Sequence, residues 1–113
     1  EHAGSDPVNL RSGTLAAAIE NGDEVIKKIV VDAFTSMGEV LGGVVNLLAP
    51  DILIIGGGLA EAMPKLILST LKNSMAPKIM APFQGSCQLR IANLGDHATA
   101  LGAAAWAAEQ EAI

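Results

Sequence analysis

The chain has one cysteine, Cys87, among 113 residues, which excludes an internal disulfide framework and any CxxC metal site. Basic residues are few: seven Lys and Arg stand against twelve Asp and Glu, and none forms a run. A net charge of -5 with scattered cations argues against a nucleic-acid binder, because phosphate contacts need clustered Lys and Arg. Uninterrupted apolar segments are also missing. The longest candidate, residues 25–48, is broken by Lys27, Lys28, Asp32 and Glu39, so a membrane span of roughly 18–20 apolar residues is not expected. The opening residues "EHAGSDP" are polar and do not read as a signal peptide. A reducing, cytoplasmic setting is the expectation. The sequence contains neither GxGxxG nor GxxxxGK[ST], which disfavours the Rossmann and P-loop readings. No Ser/His/Asp or Cys/His arrangement suggests a nucleophile, and His97 has no second ligand at metal spacing. The chain starts at Glu1 without a methionine, which leaves room for a longer parent.

What is present is hydrophobic. Half of the residues are apolar and only 17% are charged, so the chain should fold, and its length suits a single unit, residues 1–113. Residues 1–12 read as loop. A short helix follows in "GTLAAAIEN", with Thr14 as N-cap and Gly22 as the stop. Asp23 should cap a long helix running to about Leu48, with Glu24, Lys28, Asp32, Thr35 and Glu39 on one narrow stripe. Glu24 and Lys28 form an i,i+4 pair in the favoured order. The rest of that helix is apolar over an arc wide enough to imply burial on more than one side. Ala49 and Pro50 should end it, since the residue before proline avoids the helical region.

"DILII", residues 51–55, is apolar on both faces and rich in Ile, as an interior parallel strand would be. Pro64 suits the first turn of a helix to about Met75, and "APKIMAPFQGS" reads as loop. In residues 87–93, Cys87, Leu89 and Ile91 alternate with Gln88 and Arg90, as in a strand with one wetter face. Asp96 should cap a last helix, "HATALGAAAWAAEQE", whose small residues permit close packing on a sheet. The expected class is α/β: a parallel strand–helix–strand unit, right-handed, with helices packed on it. Two strands are too few for a whole sheet of this kind.

Between the first strand and its helix lie Gly56, Gly57 and Gly58. Glycine in regular structure costs roughly 0.5–1 kcal/mol relative to alanine, so three together need a cause. At the carboxyl end of a parallel strand they would leave bare backbone where ligands bind in α/β folds, with helix-start N–H groups favouring phosphate. A tight strand-to-helix turn with no ligand is the other reading.

"NLLAPDILIIGGGLAEA" followed by "IANLGDHATALGAAAWA" resembles the C-terminal half of the ROK family of sugar kinases and sugar-responsive repressors. The resemblance runs over roughly residues 12–108 and takes in "RSG", "NGDEV" and "MGEVLGGVVNLL". It implies part of a ribonuclease-H-like, actin-like ATPase domain in which the glycine turn lies beside ATP. Carried over by position, Gly56, Gly57 and Gly58 line the nucleotide and Leu59 sits beside it at the helix start. The family's DxGxT-like phosphate loop, its catalytic aspartate in an N-D motif and its GH…CxCGxxGC zinc segment are not in this sequence. Cys87 follows the glycine turn and does not replace that cluster, and Glu1-His2 carry no assigned role.

The resemblance therefore implies the nucleotide side of a glucokinase-like enzyme using ATP and magnesium to phosphorylate a hexose hydroxyl, with no catalytic or metal-binding residue in this segment. A sugar-responsive repressor sharing this half, or a non-catalytic assembly module, are the rival readings. Self-association into a homo-oligomer is expected, with neither nucleic acid nor membrane as partner. Asp96 is expected to cap rather than touch a ligand, His97 and Asp51 to lie at the surface, and Arg90 and Trp106 at the surface or an interface. Gly38, Gly42 and Gly43 on the long helix either let a neighbouring helix approach or leave room for an adenine; packing is the preferred reading.

Overall fold

A computed structural model of the chain describes residues 6–112; Glu1 and His2 lie outside them. The main elements are α1 (Ser12–Glu20), α2 (Glu24–Leu48), β1 (Ile52–Ile55), α3 (Gly58–Ala62), α4 (Pro64–Met75), β2 (Gln88–Ile91) and α5 (Ala98–Glu111). Short 3-10 turns occupy Pro7–Asn9, Ala76–Lys78, Ala81–Phe83 and Gly95–His97. The expected loops around residues 7–9 and 76–86 are thus partly wound into single turns. The result is a mixed α/β chain, mostly helical, with a two-stranded parallel sheet in which Ile52 pairs with Gln88 and Ile55 with Ile91.

α2 begins as its sequence demands: the Asp23 carboxylate accepts from the N–H groups of Val25 at 3.1 Å and Ile26 at 3.0 Å. It stops at Ala49, which takes the left-handed conformation (φ 46°, ψ 51°) ahead of Pro50 and donates its N–H to Val45 O at 2.9 Å. The anticipated Glu24–Lys28 pair does not form. Lys28 has a carboxylate one turn away on either side and takes Asp32, leaving Glu24 to Lys27 at 3.5 Å. Such exposed pairs differ by tenths of a kcal/mol, too little for the sequence to select between them. α1 also departs from expectation at its start. Arg11 occupies the N-cap position, and Thr14 donates to Asn9 O at 3.1 Å instead of capping. Gly22, at φ 90°, ends α1 as expected.

The core lies between α2, α4 and one face of the sheet. Val30 and Val45 of α2 meet Ile67, Leu71 and Met75 of α4, with Ile55, Ala60 and Met63 completing the buried cluster and Leu53, Leu89 and Ile91 packed against it. Gly38 and Gly42 sit on the buried stripe of α2 and set how closely the helices approach. A Cβ on Gly38 would lie 1.9 Å from Ser74 Oγ and 3.1 Å from Leu71 O; one on Gly42 would lie 2.6 Å from Lys78 Cβ and 2.9 Å from Met75 O. Gly43, one residue on, faces open space. Packing therefore accounts for Gly38 and Gly42 but not for Gly43. Asn46 then ties the end of α2 to the loop after α4, donating to Lys78 O and accepting from Met80 N, both at 2.8 Å.

Three expectations about burial are corrected. α2 is buried along one stripe only, and Val25, Ile29, Val40, Leu47 and Leu48 on its other sides are exposed. By length and composition alone this helix is apolar enough to cross a membrane, contrary to the reading of residues 25–48, although its inner stripe is packed as a core helix is. β1 is covered on one face, leaving Ile52 48% and Ile54 66% exposed on the other. α5, expected on the sheet, is exposed at every residue. The chain accordingly has a radius of gyration of 17.2 Å, against about 13 Å for a compact chain of this length.

The glycines on α2 yield a direct test. Alanine at Gly38 or Gly42 must displace α4 or its loop and should cost about 1–3 kcal/mol, as overpacking does. Alanine at Gly43 meets nothing and should stabilise by up to about 1 kcal/mol through helix propensity. Urea melts of the three variants check the opposite signs.

Candidate functional site

The two strands run parallel, so their carboxyl ends lie together, joined by the hydrogen bond from Ala92 N to Ile55 O at 2.8 Å. There the chain leaves β1 through Gly56, Gly57 and Gly58, and leaves β2 through Ala92, Asn93 and Leu94. All three glycines are exposed. Gly58 is the first residue of α3, and Gly57 is its N-cap with no side chain to satisfy the helix-start N–H groups. The start of α1 arrives at the same place, since Ser12 lies against Gly58. Bare amides thus collect at a sheet edge of the kind where α/β proteins take ligands.

The glycines are glycine for different reasons. Gly57 has φ 105° and ψ 158°, a region that side chains other than hydrogen rarely enter. Gly58 is held by contact, since a Cβ there would lie 2.8 Å from Ser12 Oγ and 3.3 Å from Ser12 Cβ. Gly56 has neither constraint: its φ is ordinary, and a Cβ would meet only the Ala92 Cβ, at 3.5 Å. Leu59, placed by sequence beside the ligand, is half-buried and packs against the core cluster, so it anchors α3 with its side chain turned inward.

Asp96 lies inside the Gly95–His97 turn, and α5 begins at Ala98 with no side-chain cap. A capping side chain needs an extended residue before the helix. The 3-10 turn instead runs straight into α5, and His97 in the cap position has φ -86° and ψ -7°. Asp96 and His97 are exposed, as are Asp51, at the opposite end of the strand, and Trp106 on α5. Arg90 is exposed too and donates to Gln88 Oε1 at 2.8 Å. Sequence reasoning missed Ser12, although its place in "RSG" at a helix start was legible. It also missed Glu61, in the first turn of α3, whose Oε2 lies 3.9 Å from where a Cβ on Gly95 would stand. Among the described residues, no group of three or more His, Cys, Asp or Glu is placed to hold a metal ion.

This arrangement defines an α/β protein with a glycine-built turn at the carboxyl edge of parallel strands. A family model described as the ROK family matches residues 2–110. The chain belongs to the ROK family, which covers sugar kinases and sugar-responsive repressors. A search of curated proteins finds no match.

The Gly58–Ser12 contact predicts coupling between two distant positions in sequence. Gly58→Ala must turn the Ser12 side chain aside and should destabilise the chain by no more than about 1 kcal/mol, the low end of overpacking costs. In a Ser12→Gly background the same change should cost clearly less, because the obstructing Oγ and Cβ are gone. A double-mutant cycle by thermal or urea unfolding measures the difference.

Proposed function

We propose that this chain is the nucleotide-binding, C-terminal part of a ROK-type sugar kinase, a cytoplasmic glucokinase-like enzyme that phosphorylates a hexose hydroxyl with ATP. In this reading the chain is part of an actin-like, ribonuclease-H-like ATPase domain, and upstream strands continue the sheet beyond the open edge of β1. The observation that carries it is Gly56, an exposed glycine with no conformational or packing reason to be one, at the carboxyl end of a parallel strand. A ligand that must lie flat against the peptide plane supplies that reason. Gly57 and Gly58 then shape the turn, and the unsatisfied N–H groups at the start of α3 face the nucleotide.

ATP fits this edge as a ligand of bare backbone. Magnesium would come as the companion of the ATP phosphates. The chemistry it supplies is neutralisation of phosphate charge during transfer. The described residues bind and orient; an aspartate from the upstream part would accept the proton of the sugar hydroxyl. A repressor of the same family would not need Gly56 bare for nucleotide approach. The upstream sequence separates the two: a DxGxT-like loop with an N-D motif marks the kinase, and a basic helix-turn-helix marks the repressor.

Gly56 is the decisive position, because valine at Gly57 would strain the backbone whether or not ATP binds there. In the full-length kinase, Gly56→Val should leave thermal stability within about 0.5 kcal/mol, as surface changes do. It should raise the ATP concentration needed for half-maximal rate at least tenfold, about 1.4 kcal/mol, with sugar binding unchanged in the absence of nucleotide. A folded variant that uses ATP as well as wild type would refute the reading. The chain alone, with ATP, magnesium and a panel of hexoses, should show no turnover above background.

A further inference from the structure

Residues 62–95 contain Lys65, Lys72, Lys78 and Arg90 and no Asp or Glu, in a chain where acids outnumber bases twelve to seven. The span takes in α4, the turns after it and β2, so this part of an acidic chain is basic. Lys78 is matched by Glu39 at 3.8 Å. Among the described residues, Lys72 and Arg90 have no carboxylate within ion-pair distance. Arg90 donates only to the neutral Gln88 Oε1, at 2.8 Å and 3.3 Å, so its charge stays uncompensated. Both cations line one groove of about 700 Å³, which runs between α4 and β2 and includes none of the three turn glycines. Pro64 and Leu68, a turn apart on α4, give it an apolar wall, and Lys72 stands one turn further on. Among the described residues the sheet has only two strands, so β2 also has an open edge. Gln88 N donates to Asp51 O and Ala92 N to Ile55 O, both at 2.8 Å, so alternate residues of β2 bond toward β1. The N–H and C=O groups of Leu89 and Ile91, lying between them, face away from β1.

We propose that this groove takes an extended acidic segment of a partner protein, which adds as a strand to the edge of β2. Charge complementarity selects an acidic occupant, because the charged residues lining the groove, Lys72 and Arg90, are both unmatched cations. The open edge selects a peptide among polyanions. Its outward N–H and C=O groups, at every second residue, match the main chain of an added strand. A nucleic acid or a lipid surface presents no such alternation of donors and acceptors. Successive side chains of the added strand turn to opposite faces of the sheet. On the face of Arg90 a carboxylate directly opposite makes a stabilising cross-strand pair. On the face of Leu89 and Ile91, which pack toward the core, apolar side chains lie against Pro64 and Leu68, with Lys72 closing that wall. The occupant is therefore a strand of carboxylates alternating with apolar side chains. The groove lies on the side of β2 away from β1, so this proposal stands apart from the nucleotide reading.

The probe is a fluorescent peptide of about eight residues alternating glutamate and valine, the length of an ordinary strand. Anisotropy titration with the chain should show saturable binding with a dissociation constant below about 1 mM. Lys72 and Arg90 are exposed, so both can be reversed without entering the core. Lys72→Glu combined with Arg90→Glu should weaken binding at least about tenfold. A lysine–valine peptide should then bind the double variant better than it binds wild type. Two further peptides carry N-methyl groups on alternate amides, one on the glutamates and one on the valines. One of them should fail to bind while the other still binds, since a strand turns only alternate amides toward its neighbour. Far-UV circular dichroism and a thermal melt confirm that the double variant folds like wild type. No binding by wild type overturns the proposal. So does binding that the charge reversal leaves unchanged, and so does an equal or higher affinity for a single-stranded oligonucleotide or for phosphatidylserine vesicles. Binding that falls away as the chain's own concentration rises gives the edge to a second copy and overturns it as well.

Discussion

The close approach of α2 to α4 is the contact on which the rest of the structure depends. Gly38 and Gly42, one turn apart on α2, remove the two Cβ atoms that would otherwise hold the helices apart, and the backbone and Ser74 of α4 fill the space. Ser74 fits because its hydroxyl folds back onto Thr70 O at 2.9 Å and Leu71 O at 3.2 Å, keeping its polarity within α4. With α4 seated this deeply, Ile67 and Leu71 are fully buried, and α4 forms the floor on which Leu53, Leu89 and Ile91 of the sheet rest. The strands and the glycine turn at their ends are therefore positioned through two missing methyl groups on another element. A wider helix pair would lose dispersion contacts along the whole seam, since interiors of this density do not tolerate gaps.

Much of this was legible in the sequence, and the successes share a cause. The cap at Asp23, the stop at Pro50, Pro64 at a helix start and the alternation from Cys87 to Ile91 are local signals, and the structure follows them. The failures are places where a local signal competes with something distant or nearly equal. Thr14 and Asp96 are good cap residues, but neither stands on extended backbone at a helix start, and cap geometry precedes cap chemistry. Lys28 had two carboxylates within reach, and sequence spacing ranked them by a difference smaller than the pair energy itself. Burial was the least legible. Apolar side chains on α2, β1 and α5 announce that they should be covered, but composition does not say by what, and within this chain α5 covers none of them.

Those bare surfaces are not of one kind. Ile52 and Ile54 lie on a sheet face beside a free edge, Leu47 and Leu48 at the end of a helix, and Trp106 on a helix exposed along its length. Exposed apolar residues scattered singly are ordinary, whereas contiguous ones around an open sheet mark contact surfaces. β1 carries only Ile and Leu and would accept a neighbour in more than one register, because nothing polar on it distinguishes one pairing from the next. β2 instead alternates Gln88 and Arg90 with Leu89 and Ile91, so a slip of one residue would turn its polar side chains to the other face.

The glycine triplet shows why a motif should be taken apart before it is read. Seen as "GGG", it invites a single explanation, yet each residue answers to a different constraint. Gly57 answers to a backbone conformation and Gly58 to the hydroxyl of Ser12, and both would be required of a turn that never met a ligand. Evidence for a ligand can come only from what the fold leaves unexplained, and that remainder is Gly56. An alanine there would lose nothing visible in the packing, and removing a glycine would reduce the entropy of the unfolded chain, favouring folding by about 0.4–1 kcal/mol. Keeping glycine where the fold itself would gain from alanine is what a backbone reserved for close approach would require. The weight of the nucleotide reading therefore rests on the residue of the three that does least for the fold.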